Sequence, residues 1–250
     1  MAGRKRDIRL PAPFLRKVVL DQSLVPDNTA YPYCLPLFKN GFEQVFDNPI
    51  TIIAGENGVG KSTLLEGIAA LAGFDQAGGA KGYQPLDHSS SIEVSGAELT
   101  KALRASWLPK LSDGWFFRAE SFFSVARYLD SVGSPDADFL SHSHGEGFLR
   151  FFDERCERQG LYIFDEPESA LSPSRQVEFL KILSRINESQ RCQVIMATHA
   201  PILMACPGAT LLRLSKYGLE PVTLEDTEHF RLMREFCLDP QGFLQMMMDD

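Results

Sequence analysis

Apolar residues fall along this chain in two rhythms, and the changes between them mark out its elements. Phe14 to Leu20 and Ile50 to Ala54 are short apolar runs that read as strands, the second leading straight into Gly55. Ser62 to Leu71 carries Leu64, Leu65, Ile68, Ala69 and Leu71 at helical spacing and is stopped by Gly73. A Gly, Ser, Gln and Asp-rich stretch from Asp75 to Ser91 reads as a loop. Leu99 to Leu111 is then predicted as helix, Trp115 to Phe117 as a buried strand, Ser121 to Leu129 as helix and Ser131 to His144 as loop. A helix from Phe148 to Glu157 follows. Leu161 to Phe164 and Val194 to Ala197 show no alternation, as in strands covered on both faces. Between them Ser172 and Pro173 open a helix as cap and first residue, with Val177, Leu180, Leu183 and Ile186 as its expected buried face. Leu211 to Leu214 and Glu220 to Leu224 read as a hairpin through Gly218, before a helix around Asp226 to Phe236. Strands alternating with helices imply an α/β fold with a largely parallel sheet.

Composition narrows the class. The 250 residues are 44% apolar and 10% aromatic, enough for a real core, and the net charge of -8 argues against a wholly basic nucleic-acid binder. Arg4, Lys5, Arg6 and Arg9 form a local basic cluster that reads as a solvated tail. Cys34, Cys156, Cys192, Cys206 and Cys237 include no CxxC pair, which favours free thiols in a reducing cytoplasm over a zinc site or disulfide framework. No stretch approaches the roughly 18 apolar residues of a membrane helix, and the first residues lack the apolar core of a signal peptide. Direct membrane insertion is not expected.

The chemistry begins at Gly55-Glu56-Asn57-Gly58-Val59-Gly60-Lys61-Ser62-Thr63, which satisfies GxxxxGK[ST] between a strand and a helix. Gly55, Gly58 and Gly60, with Asn57, let the backbone wrap around phosphates and aim its N–H groups inward, where the helix N-terminus adds positive potential. Lys61 supplies a cation for the β- and γ-phosphates, Ser62 a hydroxyl for Mg²⁺ and Thr63 one for the α-phosphate. The ligands implied are ATP and Mg²⁺. Leu161 to Phe164 ends in Asp165-Glu166, two carboxylates at a sheet edge. Asp165 is expected to hold Mg²⁺ through a water, and Glu166 to polarise the attacking water.

The order of these motifs resembles the ABC-type ATPase superfamily over Phe14 to Leu214. Ser143-His144-Gly145-Glu146 is similar to the signature loop, usually Leu-Ser-Gly-Gly-Gln, so the resemblance implies that Ser143 and Gly145 contact the γ-phosphate of ATP held by a partner subunit. Thr198-His199 is similar to the switch-histidine motif, which gives His199 a catalytic place beside Glu166 and Lys61, and Ser169-Ala170-Leu171-Ser172 to the D-loop. The departures are His144 and Glu146 in the signature and Ser172 where aspartate is usual. No glutamine stands at the Q-loop position. Glu120 is the substitute there, either binding a magnesium water or standing exposed at a helix start. Tyr31, Tyr33, Phe38 and Phe42 are candidates to stack on adenine or to pack.

The resemblance is to a small stand-alone head of the SMC/RecF-like branch, because Glu146 suits that branch and Pro85, Pro109 and Pro135 interrupt the interval where a long coiled coil would lie. It implies a P-loop NTPase fold: one domain over 1–250 with a mostly parallel sheet, an antiparallel β part and a helical subdomain at about 95–157. It also implies an ATP-sandwiched homodimer that drives a protein effector or nucleic-acid partner in DNA-related or defence processes. A nucleotide-switched binding module and the ATP-binding subunit of a membrane transporter are the rival readings. His142, His144 and His199 lack metal-ligand spacing, and His88 and His229 read as surface residues. Cys192 reads as core, and Met246 to Met248 as a partner-binding patch or part of a partly buried terminal helix.

Overall fold

The computed structural model describes residues 10–39, 41–75, 78–81, 95–111, 113–118, 144–156 and 158–249. The basic cluster at 4–9, the expected helix at 121–129, Glu120, Ser143, His88 and His142 lie outside them. Among the described residues nine strands form two sheets: β1 (Leu15–Leu20), β2 (Glu43–Val45), β3 (Ile50–Ala54), β4 (Leu103–Trp107), β5 (Gly114–Arg118), β6 (Gly160–Asp165), β7 (Cys192–Ala197), β8 (Thr210–Ser215) and β9 (Gly218–Pro221). The larger has the order β5-β6-β7-β3-β8-β9 and is parallel except for β9, while β2-β1-β4 is antiparallel. The described helices are α1 (Lys61–Ala72), α2 (Ser95–Ala102), α3 (His144–Arg155), α4 (Pro173–Ser189), α5 (Pro201–Met204), α6 (Glu228–Leu238) and α7 (Pro240–Asp249). Among the described residues no helix is long and apolar enough to cross a membrane.

The central strands separate two apolar layers. Along β6, Tyr162 and Phe164 face one layer while Leu161 and Ile163 face the other, as a two-residue period dictates. The first layer is aromatic. Phe164 stacks on Phe117 with centroids 5.1 Å apart and planes at 6°, and α3 presses Phe148 and Phe152 onto the same group. That packing seats α3 on the sheet immediately beside the strand that ends in Asp165.

Three expectations change. Leu99 to Leu111 is not one helix: α2 stops at Ala102, and Leu103–Trp107 pairs with β1. Its burial alternates, Leu103 inside and Arg104 and Ser106 outside, a strand period that the apolar count over a longer window hides. The segment 95–157 therefore contributes β4 and β5 to the two sheets as well as helix. On α4, Phe179, Ile182, Leu183 and Ile186 are buried beside Gln176, whereas Val177 is 47% exposed and Leu180 only half-buried. The large Phe179 ring, packed on Phe164 at 5.2 Å, sets the helix rotation. Met246 to Met248 stand exposed on α7, not partly buried, and Cys192 is fully buried as expected.

Gln193 joins the two sheets. It is wholly buried on β7, accepts from the backbone N–H groups of Phe14 and Leu15 at 2.9 and 2.8 Å, and donates to the Leu15 carbonyl at 3.0 Å. Leucine there would strand the two N–H groups in a dry core, where each unsatisfied group costs about 1–3 kcal/mol. Gln193→Leu is expected to lose about 3 kcal/mol of stability, read as a lower urea midpoint at unchanged slope. A loss under about 1 kcal/mol would mean that water replaces the amide.

Candidate functional site

Three adjacent parallel strands, β6, β7 and β3, carry their carboxyl ends to one edge of the sheet, the usual place for ligands in open α/β folds. Register does the gathering: Asp165 lies opposite Ala197, and Ala197 opposite Ile53. The loops after these three strands are the phosphate loop, the Asp165-Glu166 turn and the Thr198-His199 turn.

Gly58 and Gly60 take φ values of 77° and 102°, which glycine alone adopts without strain. A Cβ on Gly60 would also strike Leu37 at 2.9 Å, so the loop is pressed against its apolar support. Within this cradle Lys61 is buried and donates to the Gly55 and Glu56 carbonyls at 2.8 and 2.9 Å. Burial lowers its pKa, against the opposing pull of Glu166, Asp165, Glu56 and Glu168. Ser62 donates to Asp165 Oδ1 at 3.1 Å. A hydroxyl and a carboxylate so placed are hard oxygen donors suited to Mg²⁺, and a Cβ on Gly58 would face open space.

Asp165 is buried, and desolvation pushes its pKa up to about 6 against the counter-pull of Arg118 and the Ser62 hydroxyl. Arg118 ends the neighbouring strand opposite Asp165; its Nε stands 3.9 Å from Asp165 Oδ2, and its Nη1 donates to Glu66 on α1 at 2.7 Å. Glu166 holds a left-handed backbone, φ 52° and ψ 55°, and its N–H donates to the Ala197 carbonyl at 3.0 Å. Non-glycine residues in this region store of the order of 1–3 kcal/mol, and such strain concentrates at functional sites. The turn aims Glu166 Oε1 to 3.1 Å from His199 Nε2, while the His199 backbone N–H donates to Glu168 Oε1 at 2.5 Å.

The geometry separates the aromatic candidates. Tyr33, Phe38 and Phe42 are buried in the layer that supports α1, so they pack. Tyr31 is 49% exposed, and its hydroxyl lies 2.7 Å from Thr63 Oγ1. Gly145 sits in the first turn of α3, where Glu146 accepts from Arg175 on α4 at 2.6 Å. His229 is not a surface residue: it is about 20% exposed and reaches His199 Nδ1 with its Nε2 at 2.9 Å. Arg118, Glu168 and His229 all escaped sequence reasoning. A Glu three residues after Asp165 was visible, but its hold on the His199 backbone was not.

Residues 139–205 match a family model described as "AAA domain, putative AbiEii toxin, Type IV TA system", and residues 38–104 match one described as "AAA domain". The Molybdate import ATP-binding protein MolC of Haemophilus influenzae is 26% identical over 213 residues, 80% of this chain and 82% of MolC. The OLD nuclease of Thermus scotoductus is 34% identical over 68 residues, 27% of this chain but only 13% of that protein. The SMC head domain from Thermotoga maritima superposes on 84% of this chain and 100% of that one, at 16% identity and a TM-score of 0.47. The two family matches cover the phosphate loop and the paired carboxylates, which converge at one sheet edge, and together with the MolC match they make the chain similar to P-loop ATPase domains of the AAA and ABC kinds.

Proposed function

We propose that the chain binds ATP with Mg²⁺ and hydrolyses it, with Glu166 as the water-polarising base. The observation that carries this reading is the 3.1 Å approach of Glu166 Oε1 to His199 at the lip of the phosphate loop. The loop amides and Lys61 bind the triphosphate, and Lys61 exchanges its two carbonyl partners for phosphate oxygens. Ser62 and Asp165 would hold the metal, with Glu120 as a further candidate, and bound Mg²⁺ would supply charge neutralisation at the β- and γ-phosphates. Glu166 accepts a proton from water, and His199 donates to the γ-phosphate. Tyr31, exposed beside Thr63, is the residue we assign to the adenine side.

We further infer that two copies sandwich the nucleotide, Ser143 and Gly145 of each meeting the phosphate held by the other. The cycle would drive a partner in the cytoplasm, where five free thiols are at home. Similarity to the OLD nuclease segment and to the AbiEii-type model favours a nucleic-acid or defence partner. Similarity to MolC favours a second reading, the ATP-binding subunit of an importer.

Phosphate release from ATP is expected to require Mg²⁺ and to vanish with excess EDTA. ATP binding without phosphate release at saturating Mg²⁺ would turn the reading into a nucleotide-switched binding module. Recovery of the native chain in a complex with integral membrane proteins would favour the importer.

A further inference from the structure

His199 has two ring nitrogens with different neighbours. Nε2 lies 3.1 Å from Glu166 Oε1 and Nδ1 lies 2.9 Å from His229 Nε2. A neutral imidazole carries one N–H and one lone pair, and a carboxylate only accepts. In this ring orientation Glu166 favours the hydrogen of a neutral His199 on Nε2, which leaves Nδ1 as an acceptor. His229 must then donate through its own Nε2–H. Glu56 Oε1, 3.9 Å from the same atom, favours that proton position as well. The opposite arrangement would set the lone pair of His199 Nε2 against the Glu166 carboxylate.

His229 is held where it can do this. It lies in the first turn of α6, behind the buried cap Thr227, whose hydroxyl accepts from the Phe230 N–H at 3.4 Å and donates to the Leu224 carbonyl at 2.7 Å. The positive end of a helix disfavours an imidazolium. Desolvation and then the neighbouring His199 lower the His229 pKa, with Glu56 opposing. The side chain is thus a neutral donor on a capped helix, pointed at one atom.

We propose that His229 is a positioning residue: its Nε2–H fixes the tautomer and ring orientation of His199, so that the Nε2–H of His199 faces Glu166 and the reacting end of the nucleotide. The catalytic consequence rests on the ATPase reading above; the tautomer itself does not. The contact also ties α6, otherwise mostly exposed, to the nucleotide site.

The test compares the wild-type chain, His229→Ala and His229→Gln, the glutamine amide being able to donate from nearly the same place. Partners that orient metal-ligating histidines are worth roughly 10–100-fold; by the same orienting logic His229→Ala should lower kcat for MgATP by about ten-fold or more with KM within about two-fold. His229→Gln should recover most of kcat. Long-range proton–nitrogen NMR on histidine-labelled protein should show His199 protonated on Nε2 in wild type and in His229→Gln; in His229→Ala the ring, no longer held at Nδ1, turns from Glu166 and shows a tautomer mixture. An unchanged His199 tautomer in His229→Ala would overturn the proposal. So would a His229→Gln that behaves like alanine in both readouts, since His229 would then only fill space. The NMR arm needs no turnover, so a wild type without ATPase activity would sink the enzymatic reading while still deciding this one.

Discussion

Glu166→Gln is expected to lower phosphate release by about 10³-fold while leaving the affinity for MgATP within about two-fold. The amide is nearly isosteric, and its oxygen can still accept from His199 Nε2–H across the present 3.1 Å. Glutamine also tolerates the left-handed backbone at this position about as well as glutamate does. What it cannot do is take a proton from water. The phosphate loop, Lys61, Ser62 and Asp165 are untouched, so binding should persist and the nucleotide-bound state should accumulate. Mass in solution then reads the second half of the proposal: a monomer without nucleotide, a dimer with MgATP, and loss of the dimer when Ser143→Arg is added. Phosphate release within about ten-fold of wild type would remove Glu166 from the base's role. A monomer under saturating MgATP would sink the sandwich and leave a site that needs a different partner chain.

The parts of the site legible in the sequence are those encoded by neighbours in the chain. The glycines of the phosphate loop must adopt left-handed backbone, and Lys61 and Ser62 follow them at fixed offsets, so the motif carries its own geometry. Asp165 and Glu166 end an apolar run, and Thr198-His199 ends another. That these ends meet depends on the strand order β6-β7-β3, which only tertiary pairing sets. The residues that escaped notice act across long separations. Gln193 reads as a polar interruption in a core strand until its bonds to Phe14 and Leu15 are seen, 179 and 178 residues away. Likewise Arg118 reaches Glu66 over 52 positions, and His229 meets His199 over 30. Helix rotation failed for a related reason: Val177 and Phe179 are both apolar, and only the aromatic layer beneath α4 decides which turns inward. Tyr31 could be told from Tyr33 by exposure alone, which spacing does not encode.

Asp165→Asn is expected to make the nucleotide-free protein more stable at neutral pH, even as it removes the carboxylate we propose to hold the metal. Burial raises the Asp165 pKa from 3.8 to about 6, so the folded state holds this proton more tightly than the unfolded chain does. Stability therefore falls as pH rises through that window, and above it the whole penalty of a buried carboxylate applies. A shift of this size corresponds to about 2–3 kcal/mol. Asparagine keeps an oxygen for the Ser62 hydroxyl, and Arg118 keeps its 2.7 Å bond to Glu66, so little is orphaned by the change. For a chain of this length the gain should raise the melting temperature by roughly 4–10 °C at pH 7.5 and fade toward pH 4. MgATP should reverse the ranking. Wild type gains stability in proportion to the logarithm of ligand over its dissociation constant, and the variant, lacking the charge that offsets the metal, gains much less. Such a crossing would show Asp165 as a carboxylate kept at a cost to the fold, one that the metal repays on binding. If Asp165→Asn instead melts lower at pH 7.5 without nucleotide, Arg118 already compensates the buried charge in the folded chain. The stability of the site would then owe more to that ion pair than to the ligand.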